Sequence, residues 1–543
     1  MKHFKKFFSY LVALTMVLSL AAFTGVKVHA ADGTTGTEGP TNYTLTVLNN
    51  NGTKDGPSTH TFEIYQIFTG DYNDTVLSNI KWGSGVTTDG QKAIGDAKTY
   101  AEENLKTPND AKAFAKRLAD GASGTSYLTS PIATKEITPG SSAEVDVPAG
   151  YYLIKDQDGS QNIENGAYTD YIVKVVGDTT ANTKLDVPSV VKKVKDHNDT
   201  TGDTSDWQDS ADYDIGENVP YQLTGTLPSD YSKYTEYAYT FNDQMSKGLT
   251  FNNDIKVYKN SASEKNLIPA AQYGVTSDEH SFSIKFDNLK KVTTNASDQI
   301  IVTYSAQLND KAQIGKQGND NTVYLKYSNN PNYTGKGENS PEGQTPKDKN
   351  IVFTYQLNVN KYKDAVGDSN KTDKAQFQLF KEMKDGKVKP ITITADSDTK
   401  LYSAKGLDDG TYILQETKAP DGYNKMDGSV TFGSTTYENA KEFKIEATHE
   451  DKSDNPKLLS LSGTATKTGE ATFTAGGTKT TAEDGSETQI YDGTLTTNVV
   501  DNKGSTLPST GGMGTTLLYV AGGILVACAA AYVVMSRKHS TNK

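Results

Sequence analysis

Strict alternation of apolar and polar residues, met twice with the same vocabulary, limits this chain more than any other feature. Tyr43-x-Leu45-x-Val47-x-Asn49 returns as Tyr355-x-Leu357-x-Val359-x-Lys361. A period of two puts such side chains on one face of a β-strand. Each copy is followed by a second apolar strand, Phe62–Tyr65 and Phe377–Phe380. Each then has a glycine entering a third, Gly150–Asp156 and Gly410–Glu416. Three matched strands in one order predict one β-sandwich plan used twice. With 31 Tyr against 2 Trp, and 47 Gly, the composition also favours strands and turns. The expected fold is mainly β: tandem immunoglobulin-like sandwiches.

A chain of 543 residues has room for about three domains. The first is expected over 31–186, the second over 187–350 and the third over 351–506. Within the first, residues 89–121 are rich in Ala, Lys and Glu, and Ala111, Phe114, Ala115 and Leu118 recur at helical spacing. This predicts a small helical insertion of one or two helices covering a sheet face. The second opens at Pro188, and the connector 332–350 is dense in Gly, Pro, Asn and Lys. A loop from Asp196 carries Asp199, Asp203, Asp206, Asp209 and Asp212. It lacks the order and closing glutamate of an EF-hand, so it reads as a solvated acidic loop, and no metal or cofactor is expected.

The net charge of −12 argues against nucleic acid as a partner. Lys2, Lys5 and Lys6 precede the apolar run Leu11–Phe23, and Val28-His29-Ala30 ends in a small residue. Residues 1–30 therefore read as a signal peptide cleaved after Ala30. An exported chain of this size often relies on disulfides, but Cys528 is the single cysteine and lies in the apolar tail. Any covalent reinforcement must use other chemistry. No nucleophile–base pair or phosphate loop stands out, so turnover of an external substrate is not expected.

Strand phase supplies that other chemistry. Lys361 shares the face of Leu357 and Val359, and Lys192 lies between Val190 and Val194. Burying an ammonium is expensive, so such a lysine must be neutral or paired. Asp243 follows Tyr239 and Phe241 in the same phase, as Glu416 follows Tyr412 and Leu414. Asn321 shares a face with Val323 and Leu325, and Asn502 with Val500. Each set holds an early lysine, a middle acid and a late asparagine. Desolvation would give a free amine and a protonated acid. The acid would polarise the asparagine carbonyl and pass a proton to departing ammonia. The product is a Lys–Asn amide tying first strand to last. The same residues also have a quieter reading: a lysine amine reaching water from a strand end, and acids or amides that satisfy buried backbone groups.

The tail gives the address. Leu507, Pro508, Ser509, Thr510 and Gly511 form an LPxTG pentapeptide, followed by an apolar run over 515–535 and then Arg537, Lys538 and His539. The run is long enough to cross a bilayer, with its basic end cytoplasmic. A plain membrane anchor would explain the run and the charges but not the pentapeptide. Pentapeptide, apolar run and basic end together resemble the cell-wall sorting signal of Gram-positive surface proteins. That resemblance implies cleavage between Thr510 and Gly511 by a sortase, transfer of the Thr510 carbonyl to an amine, and a membrane helix that holds the chain only transiently.

The third domain resembles a collagen-adhesin B-type domain. Its Tyr412-Ile413-Leu414-Gln415-Glu416-Thr417-Lys418-Ala419-Pro420 is similar to the family's E-box, which implies that Glu416 catalyses a Lys361–Asn502 isopeptide bond. The second is similar to A-type pilin domains, with Lys192, Asp243 and Asn321 at the matching positions. As a whole the chain resembles a sortase-assembled Gram-positive major pilin. The resemblance implies a fimbrial backbone subunit on the cell wall, with sortase, other copies of itself and peptidoglycan as partners. It also brings in minor pilins and a host receptor. A monomeric wall-anchored adhesin is the alternative. Asn49 takes the lysine position in the first domain, so no Lys–Asn bond is expected there despite Asp156 in the acid's place. Two ammonia losses are expected for the folded chain. Backbone pilins offer an acceptor lysine near the end of the first domain, commonly in Tyr-Pro-Lys. That motif is absent, and Lys184 is the candidate, with Lys174 and Lys195 as rivals.

Overall fold

The computed structural model describes residues 42–49, 58–73, 76–122, 124–182, 186–466, 471–481, 487–504 and 514–540. The signal-peptide residues, Lys184 and the pentapeptide Leu507–Gly511 lie outside them. Three successive groups of sheets precede an apolar helix.

In the first module Asn42–Leu48 pairs antiparallel with Ser142–Pro148 and parallel with Thr179–Asn182. The facing sheet runs Val76–Trp82, His60–Asn73, Gly150–Asp156, Asp170–Val175, with Ala133–Ile137 added beside His60–Asn73. Leu45, Val47, Phe62, Ile64, Tyr152 and Ile154 fill the space between. The other face of the second sheet is covered by Thr88–Ile94, Ala97–Asn104 and Pro108–Asp120. Phe114, Ala115 and Leu118 pack there on Ile67, Phe68 and Leu153, as their spacing predicts. The insertion holds three helices rather than one or two. Thr107 and Asp110 cap the longest reciprocally, and Pro108 opens it.

The second module packs Val190–Val194, Asn218–Gly225, Ile300–Leu308 and Leu249–Phe251 against a sheet centred on Tyr239–Met245 and Asn319–Ser328. Asp348–Phe353 is antiparallel to Asn319–Ser328. The third module, expected to begin at Ile351, therefore shares its first residues with the second module's sheet. Turn-rich composition in 332–350 conceals the start of that strand. In the third module Tyr355–Lys363 lies parallel to the last strand, Glu487–Asp501, and antiparallel to Leu401–Leu407. Gln376–Glu382, Gly410–Lys418 and Ala440–His449 form the facing sheet. The repeat seen in the sequence is also one of register: Phe62 stands opposite Asp156, and Phe377 opposite Glu416. Gly514–Ser540 is a helix, and its Leu518–Met535 stretch, with mean hydropathy 2.2, is long and apolar enough to cross a membrane.

The acidic loop is not solvated along its length. Asp203 and Asp206 are exposed, but Asp209, Asp212 and Asp214 are buried where the second module meets the third. Asp214 and Asp199 each lie 3.2 Å from the Lys381 ammonium, and Asp408 closes on the same group. His449 stands between Asp196 at 3.6 Å and Asp212 at 3.8 Å, with Ser210 Oγ 2.6 Å from Nδ1. The sequence hides this because the partners lie on strands of another module. Burial alone would lower the His449 pKa, but contact with Asp196 and Asp212 outweighs it and raises the value to about 10. A pKa raised from 6.5 contributes stability that is complete below pH 6.5 and lost as the pH approaches 10. Thermal melting should show the second and third modules losing stability across that window. His449→Gln should remove that slope, at most about 1.4 kcal/mol per pH unit.

Candidate functional site

Two buried clusters join strands distant in sequence. In the second module, Val190–Val194 points Lys192 inward, where it is fully buried. Its ammonium lies 2.5 Å from Asp243 Oδ2 and 2.6 Å from the Tyr304 hydroxyl. Asn321 Nδ2 donates to the same hydroxyl at 2.8 Å, and Tyr304 donates to Asp243 Oδ2 at 3.0 Å. The predicted lysine, acid and amide thus meet around a tyrosine that sequence reasoning missed. Its signal was present: Tyr304 is in phase with Val302 and Ala306 on a strand whose inward positions are otherwise apolar. The Tyr221 and Tyr304 rings flank the amine, each centroid 5.2 Å away.

Desolvation lowers the Lys192 pKa, although Asp243 opposes it, and desolvation raises that of Asp243. Both shifts favour a neutral amine beside a protonated acid. Asp243 Oδ1 and Asn321 Oδ1 are both buried and lack a hydrogen-bond partner among the described residues. A proton on Asp243 Oδ1 would make these orphans complementary, and donation to the amide oxygen would polarise the carbon that Lys192 must attack.

In the third module the Lys361 ammonium is fully buried, 2.8 Å from Glu416 Oε1 and against Asp501 Oδ1. Glu416 Oε2 accepts the Met426 backbone N–H at 2.6 Å. Burial raises the Glu416 pKa, against the pull of Lys361 and of the Met426 N–H. Asn502, expected as the third member, is exposed; its carbonyl receives the Asn424 N–H at 3.1 Å. Leu495, Thr497, Val499 and Asp501 are buried positions in one phase of the last strand. The Val499-Val500 pair is apolar on both faces and carries no phase, which explains the slip of one residue. The group the last strand presents to Lys361 is a carboxyl, and condensation of a carboxyl with an amine releases water rather than ammonia.

In the first module Asn49 is buried and donates from Nδ2 to the carbonyls of Ser58 and Ile137, at 3.0 and 2.9 Å. It occupies the lysine position without a lysine's chemistry. Lys195 holds its ammonium 5.3 Å from the Trp207 ring centroid, and Lys174 lies on the strand Asp170–Val175.

Residues 215–331 match the family model described as Gram-positive pilin backbone subunit 2, Cna-B-like domain, and 355–453 match the SpaA prealbumin-like fold domain. The second module, read from sequence as A-type, thus matches a model described as Cna-B-like. The matched segments include Asp243, Asn321, Lys361 and Glu416. The trypsin-resistant surface T6 protein of Streptococcus pyogenes serotype M6 is 27% identical over 403 residues, 66% of this chain and 70% of that one. The structure of the T6 backbone pilin from that serotype aligns with a TM-score of 0.49 and 19% identity, over 86% of this chain and all of that one. The major pilin SpaD of Corynebacterium diphtheriae aligns at 0.45 and 16% identity, over 86% of this chain and 98% of that one. The chain carries backbone-pilin domains and is homologous to the T6 protein.

Removing one member of a buried charged group leaves the rest uncompensated, at a cost of about 3–5 kcal/mol. Asp501→Ala should therefore lower the denaturation midpoint of the third module strongly, while Asn502→Ala should leave it unchanged. Equal effects of the two in denaturant melts would reverse the assignment of Asp501.

Proposed function

We propose that this chain, a structural pilus subunit by its homology, is polymerised covalently by a sortase and cross-linked internally in its second and third modules. The observation that carries the reading is the pair of buried lysine clusters. Each holds an amine, an acid and a carboxyl-derived carbon on separate strands, out of water.

In the second module, uncharged Lys192 attacks the Asn321 side-chain carbon. Asp243 donates a hydrogen bond to the amide oxygen and relays the lysine proton to departing ammonia. Tyr304 holds the amine and the amide together through its hydroxyl. In the third module Lys361 attacks Asp501, Glu416 shuttles the proton, and water leaves. The reaction happens once per chain, so the protein is a product of its own chemistry rather than a catalyst of another's.

Sortase would cut between Thr510 and Gly511 and join the Thr510 carbonyl to a lysine of the next subunit. The helix Gly514–Ser540 would hold the precursor in the membrane until then. Lys184 remains the proposed acceptor; Lys195 is less suited because its ammonium lies over Trp207. The last subunit would pass to peptidoglycan, placing the fibre on the cell wall with minor pilins and a host receptor as further partners.

The second and third modules should together be lighter than their sequence by one ammonia and one water, replacing the two ammonia losses expected from sequence. Asp243→Asn should restore the ammonia alone, and Glu416→Gln the water alone, by intact-mass spectrometry. Wall extracts should give a high-mass ladder on denaturing gels that collapses in Lys184→Ala. A single band from the wild type would favour the monomeric adhesin.

A further inference from the structure

No Lys–Asn bond is expected in the first module, since Asn49 stands in the lysine position. The fold nevertheless assembles a nucleophile–base set that the sequence did not reveal. The His60 and Asp156 side chains are fully buried, with Nδ1 2.7 Å from Asp156 Oδ1. In the neutral imidazole whose Nδ1 donates to Asp156, Nε2 keeps its lone pair. That lone pair faces the Ser58 hydroxyl at 3.4 Å. On its other side the same hydroxyl lies 3.4 Å from the side-chain oxygen of Gln161, a fully buried residue. Ser58 is 5% exposed.

Each group is held by neighbours that leave its reactive atom free. Asn49 fixes the Ser58 carbonyl from the position the other repeat gives to lysine. Asp156 Oδ2 accepts the Thr169 N–H at 2.8 Å, so the carboxylate cannot swing away from His60. The imidazole stacks on Phe62, centroids 5.1 Å apart and planes 8° from parallel. Gln161 Nε2 donates to the Thr59 carbonyl at 3.1 Å, which sets the amide plane.

The geometry points to an intramolecular ester between Ser58 Oγ and the side-chain carbonyl carbon of Gln161. His60 Nε2 takes the hydroxyl proton as the oxygen attacks, with Asp156 stabilising the imidazolium. The tetrahedral intermediate collapses by breaking the C–N bond, and His60 returns the proton to the leaving nitrogen. Ser58–OH and Gln161–CONH2 become Ser58–O–CO–Gln161 and one ammonia, with no oxidant or other reactant. Ammonia leaves and is protonated in water, which draws the exchange forward, and burial keeps water from the ester. The hydroxyl proton, shared between the Gln161 side-chain oxygen and His60 Nε2 at 3.4 Å each, must turn to His60 before the attack.

The cross-link would do mechanical work at a junction. Ser58 lies two residues before the first residue of the long strand His60–Asn73. The Gln161 backbone carbonyl accepts from Asn329 Nδ2 of the second module at 2.6 Å, and the Tyr168 N–H donates to the Asn329 backbone carbonyl at 2.7 Å. The ester would tie the first module's central strand to the segment by which it docks.

An ester and an amide part company under hydroxylamine. Peptide mapping of the folded chain should yield one pair of peptides joined through Ser58 and Gln161, lighter than their sum by one ammonia. Hydroxylamine should separate the pair and leave a hydroxamate at Gln161. Ser58→Ala and His60→Ala should each abolish this pair while the Lys192 and Lys361 cross-links persist, which also shows that the rest of the chain has folded. Linear Ser58 and Gln161 peptides alone from folded wild-type chain overturn the proposal, as does a joined pair that withstands hydroxylamine.

Discussion

A lysine ammonium removed from water dominates the design of the second and third modules. Lys192 and Lys361 are both fully buried, and no amount of packing makes a lone charge acceptable there. The surrounding residues follow from that one demand. Asp243, Glu416 and Asp501 answer it electrostatically, and the aromatic rings beside the amines exclude solvent that would otherwise screen them. A buried ion pair alone is weak support for a fold, because desolvation offsets most of its attraction. Conversion to an amide, as proposed, would leave no charge to bury, whichever partner carries the proton beforehand.

Most of this was legible from residue phase. Lys192, Asp243, Asn321, Lys361 and Glu416 stand on otherwise apolar strand faces, and a period of two is simple enough to read without a structure. What failed did so for physical reasons. Asp501 was missed for Asn502 because two adjacent valines fit either face of a strand. Tyr304 was passed over because an inward tyrosine reads as ordinary core. The acidic residues from Asp196 to Asp214 looked solvated because their partners, Lys381 and His449, arrive from a different module. Sequence distance conceals such pairings entirely.

Ser58, His60 and Gln161 show a different limit. Ser58 and His60 are separated by one residue and so share a face, but their acid lies at Asp156, on the strand that pairs with theirs. Gln161 follows in a loop. Spacing alone offered no reason to join them. The repeat offered one in retrospect: Asp156 holds the register position of Glu416, and an acid there without a lysine opposite needs another partner.

The parallel pairing of Tyr355–Lys363 with Glu487–Asp501 has a consequence for stretch. Tension entering at Tyr355 and leaving beyond Asp501 would follow the first strand only as far as Lys361, then cross directly to Asp501. Everything between those two residues would sit off the line of tension, like slack rope behind a knot. With the cross-link closed, this module would contribute almost no extra contour length when a fibre is pulled, however far its remaining strands were unfolded by heat or denaturant. Its extensibility and its thermal stability would be separate properties, set by one covalent bond and by the packed core respectively.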